Sequence, residues 1–120
     1  PHIDRLAEEG LLFTQAYTAS PVCSPTRASI LTGRFPARDG IHAPISTAAE
    51  SRRRDMPNYL DPALPMVTRI LQGAGYAVGH FGKWHLGGGE AAPDTNAPPP
   101  TAYGIDESYV FSGNGPGWEK

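Results

Sequence analysis

Two short segments of this chain bring chemistry-bearing residues together at a turn. The first is Cys23-Ser24-Pro25-Thr26-Arg27, where the only cysteine stands two positions before a proline and four before an arginine. Proline is favoured at the first helical position, so Pro25 predicts a short helix over 25–32 that Gly33 ends. Ile30 and Leu31 supply its apolar side. A side chain at residue 23 would then face unpaired backbone N–H donors and the positive end of the helix dipole. Anions and anionic intermediates are favoured there. Arg27, in the first turn, can return its guanidinium to atoms on residue 23. Arg34, near the other end, complements the dipole and needs no chemistry. A lone cysteine is more often a small buried apolar residue than a catalyst, so the count alone does not make Cys23 a nucleophile.

The second segment is Gly82-Lys83-Trp84-His85-Leu86-Gly87. If the backbone is extended here, Lys83 and His85 point to one side and Trp84 to the other. A cation and an imidazole on one face suit an oxyanion at which a proton must move. A surface lysine beside a hydrogen-bonded histidine is the ordinary alternative, and short motifs give many false positives.

The rest of the chain must position these two segments. Its 120 residues suffice for one small domain with a modest core, at 39% hydrophobic and 18% charged. A net charge of −2 gives no electrostatic case for nucleic acid or an anionic membrane surface. No apolar run approaches the roughly 20 residues that span a bilayer. One cysteine allows no internal disulfide.

Residues 2–9 predict a helix with Ile3, Leu6 and Ala7 on one face and Gly10 at its end. Residues 11–17 are apolar and aromatic enough for a short buried strand, and 18–21 for a turn. Residues 35–63 hold five prolines and glycines spread through them and no sustained period. They predict an irregular connection that is functional, mobile or a site of insertion. Within it, Arg52-Arg53-Arg54 reads as a solvated surface run rather than a substrate clamp. From Leu64 a helical period returns, with Val67, Ile70, Leu71 and Ala74 on the same face and Gly73 and Gly75 to end it. Residues 76–81 predict a strand, which makes a helix-to-strand unit of α/β type. Residues 87–102 are too rich in glycine and proline for regular structure, and Tyr109, Val110 and Phe111 predict a late strand.

The run from Cys23 to Arg34 closely resembles the type I sulfatase signature, in which Cys-x-Pro/Ala-x-Arg is followed by a helix ending Thr-Gly-Arg. Upstream, residues 1–10 and Phe13-Thr-Gln-Ala-Tyr17 resemble the lead into that signature. The run from Gly75 to Gly87 resembles the second sulfatase signature, Gly-Tyr-x-Thr-x-x-x-Gly-Lys-Trp-His, with Val78 in place of the usual threonine. Tyr103-Gly-Ile-Asp-Glu-Ser108 resembles the Gly-Phe-Asp segment that follows. A sulfate-contacting residue of the family would fall near Ser112 or Asn114. Two signatures in order, about 60 residues apart, are far more specific than either alone.

The resemblance implies an α/β fold, part of an alkaline-phosphatase-like sandwich with a mixed sheet flanked by helices, incomplete over these residues. Residues 1–120 would be part of a single sulfatase catalytic domain lacking its N-terminal metal-binding strand and C-terminal part. It implies that Cys23 is oxidised to formylglycine, an aldehyde whose hydrate is the nucleophile. A formylglycine-generating or anaerobic sulfatase-maturing enzyme would be the partner in that step. By the same resemblance Arg27 holds the formylglycine hydroxyl, Lys83 binds a sulfate oxygen and His85 assists deprotonation of the diol. His80 falls at a variable position and reads as structural; His2 and His42 match no role. The implied cofactor is Ca²⁺, of whose ligands only the formylglycine oxygen derived from Cys23 lies within these residues. Calcium commonly takes six to eight oxygens, so the expectation for residues 1–120 alone is weak metal binding and no turnover. The expected substrate is a small-molecule or carbohydrate sulfate ester. The alternatives are a formylglycine-dependent phosphonate monoester or phosphodiester hydrolase, and a non-catalytic segment whose Cys23 stays a thiol. A periplasmic or secreted location accords with the resemblance, while the residues themselves give no compartment.

Overall fold

The computed structural model describes residues 1–87 and 96–111. Among these described residues, four α-helices and two strands follow in the order α1 (His2–Glu9), α2 (Cys23–Thr32), α3 (Ala48–Arg53), α4 (Val67–Gly73), β1 (Gly79–Lys83) and β2 (Glu107–Phe111). The strands pair in parallel, with Gly79 opposite Glu107 and Lys83 opposite Phe111. Parallel pairing requires a crossover between the strands, as expected of an α/β architecture.

The helix expected at 2–9 is present, but its apolar face is not buried: Ile3 and Leu6 are exposed. The strand expected over 11–17 is absent, and Leu11, Leu12, Phe13 and Tyr17 all face solvent. Apolar content alone does not make a strand, which needs a neighbour to take its backbone hydrogen bonds. Among the described residues none pairs with this segment.

The core is built elsewhere. Ala28, Ile41, Ile45, Met56, Leu60, Met66, Trp84, Leu86, Tyr103 and Ile105 form one buried cluster. Four of these come from residues 35–63, so that stretch contributes to the core. It holds a 3₁₀ turn at Pro36–Asp39 and the helix α3. Thr47 caps α3, its Oγ1 accepting from the Glu50 N–H at 3.2 Å. The Thr47-Ala-Ala-Glu50 spacing that announces this start is in the sequence. The adjacent arginines lie at the surface as expected, Arg53 and Arg54 pairing with Glu50 at 2.8 and 2.7 Å.

α4 begins at Val67, not Leu64. Pro65 restricts the residue before it to extended backbone, which defers the helix. Its expected apolar face, Val67, Ile70 and Leu71, is exposed, and Thr68 is the buried residue. β1 lies further along than expected, at 79–83 instead of 76–81. Asp106 sets this register: its carboxylate accepts from the Val78 N–H at 2.9 Å while its own N–H donates to the Val78 carbonyl at 2.8 Å. The late strand is found and starts at Glu107. In the glycine- and proline-rich stretch 87–102, a 3₁₀ turn forms at Pro100–Tyr103; residues 88–95 lie outside the described residues.

Tyr103 locks this end of the core. Its hydroxyl donates to the Leu60 carbonyl at 2.7 Å, and its ring meets Trp84 edge-on at 5.0 Å. Gly87 sits hard against the 35–63 scaffold: a Cβ there would lie 2.2 Å from Tyr59 Cβ and 2.9 Å from the Asn58 carbonyl oxygen, at a φ of +97°. Gly87→Ala is therefore expected to destabilise the full-length protein by about 2 kcal/mol or more, measured as a lowered denaturant midpoint. A midpoint equal to that of the unsubstituted protein would contradict this packing.

Candidate active site

α2 starts at Cys23, two residues before the expected start at Pro25. Proline has no N–H to donate, and the first four N–H groups of a helix have no intrahelical partner, so Pro25 is tolerated in the third position. The helical conformation of Ser24, disfavoured before proline, is held by its side chain. Ser24 is fully buried; its Oγ donates to the His85 carbonyl at 2.7 Å and accepts from the Ile45 N–H at 3.0 Å. The helix ends at Gly33, which takes φ +67° and donates its N–H to the Ser29 carbonyl at 2.8 Å. Arg34 then pairs with the buried carboxylate of Asp39 at 2.8 Å, tying the helix end to the following 3₁₀ turn rather than only complementing a dipole.

With this start, Cys23 and Arg27 stand four residues apart on one helical face. Both line a cavity of about 550 Å³, together with Thr26, Ile30, His80 and Trp84. Cys23 is partly exposed and unpaired. The Arg27 guanidinium donates through Nη1 to the carbonyl of Lys83. His80 also turns its Nε2 to that carbonyl, at 3.1 Å, and stacks edge-on against Trp84 at 5.3 Å. His80, read from sequence as structural, thus shares the cavity wall with Cys23 and Arg27. Nothing in its position along the chain marks this, because it depends on where β1 ends.

β1 stops at Lys83, and His85 adopts a left-handed backbone with φ +54°. The extended alternation expected to carry Lys83 and His85 on one side therefore ends before His85. The Trp84 side chain goes into the core, while its backbone N–H donates to the Phe111 carbonyl at 2.8 Å. His85 turns its Nε2 to the Ile45 carbonyl at 2.8 Å. Its Nδ1 is buried and has no hydrogen-bond partner among the described residues. The backbones of both signature segments are thus joined, through Ser24 to His85 and through Arg27 to Lys83. The cavity that Cys23 and Arg27 line is not bounded by the side chains of Lys83 or His85. Ser112 and Asn114 lie outside the described residues.

Burial holds the His85 imidazole below its usual range; the bond to Ile45 opposes this, and the nearby charges of Lys83 and Arg27 add to the lowering. The ring is thus neutral near pH 7, able to accept a proton at one nitrogen. No group of three or more His, Cys, Asp or Glu side chains converges among the described residues. These residues do not by themselves fit a calcium ion, which takes several oxygen donors.

A helix start carrying a cysteine and an arginine is thus joined to a lysine–histidine turn in an α/β frame of the alkaline-phosphatase-like class. Comparison with known proteins agrees. The sulfatase family model matches residues 1–115. N-acetylgalactosamine-6-sulfatase of Sus scrofa is 43% identical over 91 residues, covering 72% of this chain and 17% of that protein. Steryl-sulfatase of Mus musculus is 43% identical over 93 residues, covering 72% of this chain and 14% of its own. Among solved structures, Ps i-CgsB superimposes with a TM-score of 0.70 at 34% identity, covering 95% of this chain and 23% of that one. A Bacteroides thetaiotaomicron structure from the metabolism of multiple glycosaminoglycans gives a TM-score of 0.66 at 37% identity, covering 92% of this chain and 22% of that one. The chain belongs to the sulfatase family, and it spans about a sixth of the length of the curated relatives it matches.

The sign of the histidine effect gives a test. A histidine whose folded pKa is depressed contributes stability that is present above its unfolded value, about 6.5, and is lost as pH falls through the folded value. The full-length protein should therefore lose stability relative to His85→Gln as pH drops below about 6.5, with a constant difference above it. Parallel curves of unfolding midpoint against pH would show that His85 is not held neutral by burial.

Proposed function

We propose that the full-length protein hydrolyses sulfate monoesters through a formylglycine hydrate made from Cys23. The single observation that supports this reading most is the joining of the two signature segments: the start of α2 is tied to Lys83 and His85 by Arg27 and by buried Ser24. Elements about 60 residues apart do not meet in this way without packing that holds them together. Sulfatase relatives at 43% identity support the reaction class.

In this reading a maturing enzyme, with an external two-electron oxidant, breaks the Cβ–S bond of Cys23, releases the sulfur as sulfide and leaves an aldehyde, to which water adds to give a geminal diol. One diol oxygen attacks sulfur as the bond to the ester oxygen breaks and the alcohol departs with a proton. The intermediate is a sulfated hydrate of residue 23. The second hydroxyl then gives up its proton, the aldehyde reforms, and sulfate is expelled without water attacking sulfur. A serine or cysteine ester lacks that exit. Arg27 holds the diol oxygen. Lys83 offsets charge on the sulfate oxygens, and neutral His85 takes the proton. Calcium belongs to this reading as an ion held by the full-length protein. The substrate would be a small-molecule or carbohydrate sulfate ester; one related structure is a complex with the oligosaccharide k-i-k-neocarrahexaose.

The test is made on full-length protein from its native host. The peptide spanning Cys23 should be lighter than the thiol form by about 18 Da, the mark of this covalent change. Cys23→Ala should lower turnover of an aryl sulfate by roughly 10³-fold or more. An unmodified thiol with full sulfatase turnover would refute the mechanism. A preference for a phosphodiester over the sulfate would place the protein with the phosphonate and phosphodiester hydrolases instead.

A further inference from the structure

Ser24 occupies a spacer position in the cysteine signature, and the mechanism above gives it nothing to do. It is nonetheless a fully buried polar side chain at the site, and both hydrogen bonds of its hydroxyl go to other segments. Its proton goes to the His85 carbonyl and its lone pair takes the Ile45 N–H. Ile45 in turn offers its own carbonyl to His85 Nε2 at 2.8 Å. Three segments distant in sequence thus close a ring around one imidazole.

Two consequences follow from elementary chemistry. A carbonyl can only accept, so in the neutral ring the proton sits on Nε2 and the lone pair on Nδ1. That Nδ1 is the buried nitrogen without a partner among the described residues. The left-handed backbone of His85, at φ +54°, costs energy for a residue with a Cβ and persists only where its surroundings over-determine it. The hydrogen bond from Ser24 falls on the carbonyl of this same residue.

We propose that Ser24 is a positioning residue for sulfate-ester hydrolysis: clamped between the His85 carbonyl and the Ile45 N–H, its hydroxyl fixes the backbone of His85 and, through Ile45, the Nε2–H tautomer, so that Nδ1 is the nitrogen left to accept a proton. The inference rests on the reaction proposed above and adds which nitrogen acts and what orients it. Ile45 supplies through a backbone carbonyl the orienting acceptor that a carboxylate often supplies to a catalytic histidine.

The experiment compares full-length unsubstituted protein with Ser24→Ala and Ser24→Thr, after mass analysis has set each rate on the fraction of residue 23 converted. Ser24→Ala is expected to lower kcat for an aryl sulfate about 10–100-fold with KM nearly unchanged, the cost of a misplaced group. Ser24→Thr, which keeps the hydroxyl, should recover most of the loss. Spectra of ¹⁵N-labelled histidine should show His85 protonated at Nε2 in the unsubstituted protein and a mixture of tautomers in Ser24→Ala. Unchanged kcat in a folded, converted Ser24→Ala protein would overturn the proposal, and so would an equal loss in both variants with the tautomer intact. If Ser24→Ala does not fold, the spectrum of the unsubstituted protein decides, since a proton on His85 Nδ1 is incompatible with the clamp. An unsubstituted protein that is converted yet inactive on sulfate esters would instead remove the underlying reaction.

Discussion

The arrangement depends on a polar knot inside an apolar core. Ser24, the backbone of Ile45, the His85 carbonyl and His85 Nε2 pair with one another where water does not reach Ser24. A buried donor or acceptor left without a partner costs about 1–3 kcal/mol, so alternative seatings of the helix start against the 83–86 turn are penalised at several atoms together. Apolar packing alone would not be so selective. Leucines and isoleucines tolerate small slides, whereas a hydroxyl that must donate to one carbonyl and accept from one N–H does not. Arg27 reinforces the same register from outside the knot by its bond to the Lys83 carbonyl.

The apolar core then appears as the knot's enclosure. Ile41, Ile45, Met56 and Leu60 come from residues 35–63, Trp84 and Leu86 from the turn itself, and Tyr103 and Ile105 from the segment before β2, all in one buried cluster. The Leu60 N–H donates to the Leu86 carbonyl at 2.9 Å, so the scaffold and the turn share a backbone bond as well as side-chain contact. By contrast, α1 and residues 11–17 carry apolar side chains that face solvent. Burial here follows proximity to the two signature segments rather than hydrophobicity of the individual residues.

That pattern explains what was legible in the sequence. Cys23, Arg27, Lys83 and His85 could be named from spacing and resemblance because their chemistry is carried by residue type. Helix ends were readable where a glycine sits in a left-handed position, as at Gly33. The start of α2 was misjudged because Pro25 fits anywhere in a first turn, and only tertiary hydrogen bonds to Ser24 decide where. β1 was displaced because Asp106, distant in sequence, sets its register. The apolar strand reading at 11–17 failed for want of a partner, which no local pattern reveals. Residues 35–63 seemed irregular because their core contributions come singly from short turns, without a period to detect. Ser24 and Ile45 were invisible for a related reason: one reads as a spacer, and the other acts through backbone atoms that every residue possesses.

Charge completes the logic of the site. The chain is mildly acidic overall, at −2, yet Arg27, Lys83 and the N-terminus of α2 concentrate positive potential about the His85 turn. A histidine there would ordinarily gain nothing by holding a proton, and the same cations together with burial hold it neutral. Burial is the main cause of the lowered imidazole pKa, and the charges of Lys83 and Arg27 add to it. When an anion offsets those charges, the repulsion that opposes protonation of His85 falls with it, so proton uptake becomes easier with the anion in place.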